Sequence, residues 1–415
     1  MLINQKDYKN NEKLVYLCTA FFGIVCLRRA IMPLIRAINP MTYNRIIFKE
    51  YGVTVELSDF NLHGKTREVH AILHVEPRGE LFPLQYDRIC SAEQALLAQP
   101  QYSGLQILFK RCFLSDAANQ PVPHDSHISL IQQAPLDGSK VAVWLYLASD
   151  MNVEDRDGLV EASHNGYRHL WMLGLTHSAG DSAAQTTALL NCYEAALQRC
   201  GATLADNCIR TWFFVRDVDT QYAGMVRARR ENFIQQGLTE QTHYIASTGI
   251  GGIPADSDAL VQLGAYALVG FQPDQQQYLY ARTHLNATSE YGVTFERGTR
   301  IDYGDRRHVY ISGTASINNR GEVVHVGDVV SQTRRMWDNV EALLAEADTC
   351  FDDVAQIIVY LRDIADYDVI KSMFDSRFPS TPYVITLAPV CRPTWLIEME
   401  CIAIKGLSNS HYRDF

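Results

Sequence analysis

The feature that most constrains this chain is a repeat within itself. Gly327-Asp328 and Gln332-Thr333 recur as Gly180-Asp181 and Gln185-Thr186, at an offset of 147 residues. A repeated unit fixes the architecture before any local motif does. Downstream of the first pair, apolar residues fall at Trp337, Val340, Leu343, Leu344 and Ala347. That is the spacing of one helix face. The same offset lands on Leu190, Tyr193, Ala196, Leu197 and Cys200, a second apolar stripe.

Each helix runs into a strand-like segment. Ala355–Asp363 answers Ile209–Asp217, both rich in apolar residues and both ending in Arg-Asp. A second helical stretch follows in each copy, Tyr367–Phe378 and Tyr222–Phe233. Two further strands close each copy: Tyr383–Leu387 with Trp395–Ile404, and Thr242–Ser247 with Ala259–Val269. The predicted fold class is therefore α+β: two tandem units with mixed sheets and helices packed on one face. Residues 45–145 carry alternation in Val53–Leu57 and Glu68–Val75 and a short predicted helix over Ser91–Ala98. They are assigned to the front of the first unit. The resulting domains are an extension over 1–44, a first unit over 45–272 and a second over 280–406.

Composition excludes several classes of function. The 415 residues carry a formal net charge of −10. Nucleic acid is thus not the expected partner, since phosphate binding asks for a basic face. Ten cysteines occur without a C-x-x-C pair, so no zinc or redox motif is present. Cys192, Cys200 and Cys401 sit in apolar segments and read as reduced packing residues of a cytoplasmic protein. No nucleotide loop, metal-ligand spacing or Ser/His/Asp arrangement occurs, and neither metal nor cofactor is expected. Leu14–Leu27 is apolar but falls short of the about 20 residues that span a bilayer. It reads either as a weak membrane-associating segment or as an extension upstream of a start at Met32 or Met41.

The second unit, Tyr291–Ile404, resembles the RidA/YjgF family along its length. The resemblance rests on Tyr310-Ile311-Ser312-Gly313-Thr314, Gly327-Asp328-x3-Gln332, Val359–Asp363 and Ile397–Ala403. Within that superfamily the chain is similar to the bacterial chorismatases, through Tyr291-Gly292-x2-Phe295-x-Arg297, Ser312–Ile317, and Cys391-Arg392 followed by Glu398. Two departures stand out. Tyr383 occupies the place of the Arg with which RidA deaminases grip a substrate carboxylate, and Asn318-Asn319 replaces the chorismatase Gly-His.

The resemblance implies a small carboxylate substrate, chorismate or a relative, and release of pyruvate to give 3-hydroxybenzoate or another ring acid. The alternatives it leaves are an enamine/imine deaminase and a metabolite-binding protein without turnover. It also implies a homo-oligomer, a trimer with sites between subunits. Glu398 is the expected general acid and Cys391 its assistant. An apolar strand should desolvate Glu398 and raise its pKa, and alternation puts Glu400 on the same face. Substrate-binding candidates are Tyr291, Arg297, Ser312, Gly313, Thr314, Tyr383, Arg392 and Arg229. The last belongs to the Arg227-Arg229-Arg230 cluster, the densest cationic patch in an acidic chain. If residues 1–40 are an extension, a chain beginning at Met41 stays soluble and as active as the full chain. Unfolding or lost activity on truncation is the contrary result.

Overall fold

The computed structural model describes residues 40–122, 127–156 and 158–415. The apolar run Leu14–Leu27 and the candidate start at Met32 lie outside them. The first strand begins at Met41, so residues 41–44 belong to the first sheet rather than to an extension. Among the described residues no helix is long and apolar enough to cross a membrane.

Where the sequence repeat marks two units, the described residues form three sheets. The first unit holds β1 (Met41–Phe48), β2 (Val53–Phe60), β3 (Glu68–Val75), helix α1 (Phe82–Leu97), β4 (Leu105–Leu114), β5 (Ile128–Gln132) and β6 (Val141–Ser149). The second holds β7 (Asn152–Arg156), β8 (Leu159–His164), β9 (Tyr167–Thr176), α2 (Ser182–Arg199), β10 (Cys208–Val215) and α3 (Val218–Gln235). It ends with β11 (Ala246–Gly251), the short β12 (Ile253–Pro254) and β13 (Val261–Val269). The third holds β14 (Gln276–Leu279), β15 (Gly298–Asp302), β16 (Arg306–Ala315), α4 (Val329–Glu346) and β17 (Val354–Leu361). It closes with α5 (Tyr367–Arg377), β18 (Tyr383–Leu387) and β19 (Ile397–Gly406).

Their spatial orders are β1-β2-β3-β6-β4-β5, β7-β8-β9-β13-β10-β11 and β14-β15-β16-β19-β17-β18. Leaving β12 aside, each sheet reads 1-2-3-6-4-5 when numbered within its unit, with strands 4 and 5 parallel. Residues 45–145 thus lie in a unit of the same topology and are not the front of another. Its helix is longer than the sequence suggests, because Pro83 sits in the first turn, where proline is tolerated.

The repeated residues have a structural purpose. Asp181 and Asp328 cap α2 and α4, each accepting from the backbone N–H three residues on. Such a cap satisfies a donor that the helix start would otherwise orphan. Gln185 Oε1 accepts from Leu260 N at 2.7 Å and Gln332 Oε1 from Leu396 N at 2.9 Å. Each glutamine thereby ties its helix to the chain entering the last strand.

The helices cover one face of each sheet. Leu190, Tyr193 and Leu197 pack with Phe213 and Leu263, and Ile89 and Leu96 with Val55, Leu73 and Val143. The opposite faces meet one another. Phe109 and Trp144 of the first unit, Trp171, Trp212 and Tyr266 of the second, and Tyr310 and Tyr360 of the third share one core. Burial on both faces explains why β10 and β17 are buried along their whole length and read as nearly continuous apolar runs. Of the cysteines expected to pack, Cys200 and Cys401 are buried, but Cys192 is exposed.

A cycle of edge contacts closes the three units into a ring. The segment after β11 pairs with β5, as β12. The segment after β5 bridges to β18 through Pro135 and Thr386, and the segment after β18 bridges to β11 through Val390 and Ile250. The chain leaving each edge strand thus lies on the edge strand of the next unit, a pseudo-threefold arrangement within one chain.

At its centre the ring is pinned by charge. Glu400 on β19 accepts from Arg210 Nη2 at 2.8 Å and from Trp212 Nε1 at 2.8 Å, both on β10. Arg111 Nη1 on β4 lies 3.9 Å from the same carboxylate. All three charged side chains are buried. Removing one partner of a buried pair leaves the others uncompensated. Glu400→Leu is therefore expected to cost about 3–5 kcal/mol of stability, measured by urea unfolding. A loss under about 1 kcal/mol, within the range of an exposed pair, would show that the centre is not held this way.

Candidate functional site

A narrow crevice opens where the second unit meets the third. It encloses about 530 Å³, counting its mouth. The third unit contributes the charged and reactive groups Arg297, Cys391, Arg392 and Glu398, beside Gly313. Val293, Phe295 and Trp395 are its apolar walls, and the second unit adds Tyr222, Arg229, Ser247 and Gly249.

The carboxylate enters this crevice because β16 is irregular. Its pairing with β19 slips between Ile311 and Thr314, a bulge at Ser312-Gly313. A Cβ on Gly313 would run into the Glu398 carboxyl group, so glycine lets the acid approach the backbone here. Gly313 N donates to Thr248 Oγ1 at 2.9 Å. Ser312 Oγ accepts from Ser247 N at 2.9 Å and donates to the Glu296 carbonyl at 2.6 Å. Thr314 Oγ1 donates to the Ser312 carbonyl at 2.9 Å. Ser312 and Thr314 are buried and do not line the crevice; Ser312 fastens the bulge across the unit boundary, and Thr314 closes it within its own strand.

Glu398 and Glu400 share a face, as alternation requires, yet have different surroundings. Burial lifts the Glu398 carboxyl to about 8, with Glu400 adding to the rise and Arg297 and Arg210 opposing it. Glu398 thus holds its proton at neutral pH. The Cys391 thiol is pushed up to about 12, first by burial and then by Glu398, with a Tyr222 hydrogen bond pulling the other way. It is a thiol at neutral pH, not a thiolate nucleophile.

Three guanidinium groups line the crevice with the acid. Arg229 is buried on α3, with Nη1 donating to Ser247 Oγ at 3.4 Å and Nε to Thr294 Oγ1 at 3.3 Å. Its companions Arg227 and Arg230 are exposed; the cluster splits because only one side of α3 faces the sheet. Arg297 is buried and donates from Nη2 to Asn286 Oδ1 at 3.1 Å. Arg392 lies over the Trp395 ring at 4.7 Å. Planar, always-charged donors suit the carboxylates of a small anion.

One candidate falls elsewhere. Tyr383 does not line the crevice: its hydroxyl meets Asp375, and its carbonyl lies 3.2 Å from His74 Nε2, where the third unit meets the first. Tyr291 ends the 3-10 turn Thr288–Tyr291. The topology shows which residue stands in Tyr383's place. Tyr383 pairs with Ile357 as Ser247 pairs with Thr211, and Ser247 of the neighbouring unit lines the crevice. Sequence motifs of the third unit do not point to Tyr222, Ser247 or Gly249, because a site between units draws on both. The repeat holds the signal: β11 is the counterpart of β18, and looking on β11 for the counterpart of Tyr383 finds Ser247, with Gly249 two residues on.

At the two equivalent boundaries the acid is replaced. Gln262 of β13 pairs with Phe214 as Glu398 pairs with Tyr360, and Ala142 of β6 pairs with Phe113. Among the described residues, no three His, Cys, Asp or Glu side chains gather to hold a metal ion.

Comparisons with known proteins agree with this architecture. The family described as Endoribonuclease L-PSP matches residues 301–405, most of the third unit. The 3-aminoacrylate deaminase RutC of Acinetobacter baylyi is 34% identical over 98 residues, covering 23% of this chain and 77% of the relative. A RutC family protein of Pyrococcus abyssi is 33% identical over 100 residues, covering 23% of this chain and 78% of the relative. A chorismatase crystal structure superposes with a TM-score of 0.59 at 19% identity, over 74% of this chain and 96% of its own. That likeness extends the shared fold well beyond the third unit. With a third of the aligned residues identical across most of a RutC chain, and with the sheet order repeated in each unit, the protein belongs to the RidA/YjgF superfamily.

Proposed function

We propose that the crevice is the active site of a cofactor-independent, chorismatase-like enzyme that releases pyruvate from chorismate and forms 3-hydroxybenzoate or a related ring acid. One observation carries the reading: a carboxylic acid that keeps its proton to about pH 8 stands with three arginines in a narrow, largely enclosed space. Cleaving an enol ether demands a proton on carbon, and a buried acid with a raised pKa is a suitable donor. Chorismate also carries two carboxylates, for which Arg229, Arg297 and Arg392 are suitable partners.

Glu398 gives its proton to the enolpyruvyl methylene, leaving an oxocarbenium-like carbon. Water adds to that carbon, one of its protons returning to Glu398 and the other going to the ring oxygen, which leaves as an alcohol as pyruvate departs. Loss of one further water from the ring alcohol gives a hydroxybenzoate. Cys391, protonated and close to Glu398, is suited to donating a hydrogen bond rather than to removing a ring proton. Two units of one chain line the crevice, so the reading requires no second copy.

A second reading has a specific support in the Acinetobacter relative, whose name is 3-aminoacrylate deaminase. An enamine also needs protonation at carbon, and the same acid serves. Purified protein mixed with chorismate is expected to release pyruvate well above the spontaneous rate without added metal or cofactor. No release from chorismate with turnover of 3-aminoacrylate would favour the deaminase. Turnover of neither would leave a binding protein.

Glu398→Gln keeps the shape and loses the proton, so turnover should fall about 10²–10⁴-fold while a benzoate still binds. Wild-type turnover in this variant would remove Glu398 from the mechanism. The pH profile follows from the same group. Activity should hold below about 8 and fall about tenfold per pH unit above it, as the acid form is lost. For stability the sign is opposite to that of a salt-bridged carboxylate. The native state keeps a proton that the unfolded state loses near 4.5, so stability declines as pH rises from there to about 8. Glu398→Gln should consequently melt above wild type at about pH 9, where the wild-type acid is ionised. An unchanged Tm there would count against a buried, protonated Glu398.

A further inference from the structure

Behind Glu398, at the centre of the ring, hydrogen-bond donors outnumber their acceptors. Arg111 is fully buried, with its guanidinium close to the rings of Trp144, Trp212 and Phe214 at 4.8–5.3 Å. Its Nε, Nη1 and Nη2 have no hydrogen-bond partner among the described residues. The same holds for Arg210 Nη1 and for Tyr360 Oη. Tyr360 pairs with Glu398 across β17 and β19, and its hydroxyl feels Glu400, Arg111, Arg210 and Glu398 together. Buried donors are almost always satisfied, and an orphaned set calls for water or an ion.

Charge decides between the two. Arg111 and Arg210 bring two positive charges, and Glu400 returns one negative. Glu398, still protonated, adds nothing. An orphaned acceptor on the same face of β17, Gln356 Oε1, is neutral. This cluster is left one charge positive, and water cannot supply the difference. Aromatic faces lessen the cost of a desolvated guanidinium but do not neutralise it.

We propose that a small monovalent anion of halide size binds against the orphaned donors of Arg111, Arg210 and Tyr360, beside Glu400 and behind Glu398. The donors come from all three units, on β4, β10 and β17, and a spherical acceptor satisfies such a set without needing a planar fork. Resting on Glu398 as the general acid, the site has a catalytic consequence. The bound anion and an ionised Glu398 are alternative ways to balance the same two guanidinium groups. Chloride therefore helps Glu398 to keep its proton.

Crystals of the full chain grown in bromide should show an anomalous peak beside Arg111, Arg210 and Tyr360. At constant ionic strength, chloride or bromide should raise Tm relative to gluconate and then saturate, because a ligand bound only by the native state stabilises it. A peak with that response supports the site. Water density without anomalous signal, or a Tm indifferent to the halide, overturns it. Arg111→Met should fold with no halide response, and if it fails to fold, the two wild-type measurements still decide. In the assay, chloride should move the alkaline limb of the pH profile upward. If the profile does not move while the bromide peak is present, the link to Glu398 fails and the site stands. Absence of pyruvate release bears on the proposed activity alone.

Discussion

Everything in this structure turns on the burial of the Glu400 carboxylate against Arg210, Trp212 and Arg111. These side chains come from interior strands of three different sheets, where each unit presents its strands to the other two. A second charged link, Glu68 with Arg306 at 2.6 Å and His308 at 2.9 Å, joins the first unit to the third in the same manner. Buried ion pairs contribute little net stability compared with apolar packing, but they tolerate few alternative pairings. In a core built from three largely aromatic sheet faces, such links select one way for the faces to meet.

The same pairing bears on the protonation of the carboxyl group two residues away. Glu398 and Glu400 lie on one strand face, and two carboxylates so placed cannot both be ionised cheaply in a dry core. Glu400 has taken the hydrogen bonds of Arg210 and Trp212. Glu398 is left with burial and a like-charged neighbour, which together keep its proton on. The contrast between two carboxylates with different surroundings gives Glu400 a structural part and supports the proposed role of Glu398 as the acid.

Much of the third unit was legible because its signals are local. The Gly-Asp cap, the apolar stripe of α4 and the glutamine anchor all lie within a short stretch, and they mark α2 equally well. The first unit escaped for physical reasons. Its helix starts at Phe82-Pro83 with no side-chain cap, and no second helix stands between β4 and β5 among the described residues. What survives there is the strand order, and order in space cannot be read from periodicity along a chain. The site was half legible for a related reason. Glu398, Cys391, Arg297 and Arg392 belong to the unit with the strong motifs, whereas Tyr222, Ser247 and Gly249 reach it from another. Tyr383 holds the expected position in its own unit, but that position faces a different boundary.

Joining three units in one chain frees each boundary to differ. In a ring of identical subunits a residue at one interface recurs at every interface. Here a carboxylic acid stands at one boundary, Gln262 at the next and Ala142 at the last. The connection between the first two strands shows the same divergence. It is residues 49–52 in the first unit, but residues 280–297 in the third, and that longer path brings Val293, Phe295 and Arg297 to the acid. The bulge that admits the acid is shared more widely than the acid itself. In the second unit β9 slips in register beside β13 near Gly174, and a Cβ on Gly174 would meet Gln262 Nε2 at 3.7 Å. In the first unit β3 pairs with β6 without a slip. An amide beside the bulge keeps the hydrogen-bonding shape and cannot supply a proton to carbon. The proposed acid chemistry therefore has a place only at the one boundary where the strand offers a carboxylic acid and the long connection supplies an arginine beside it.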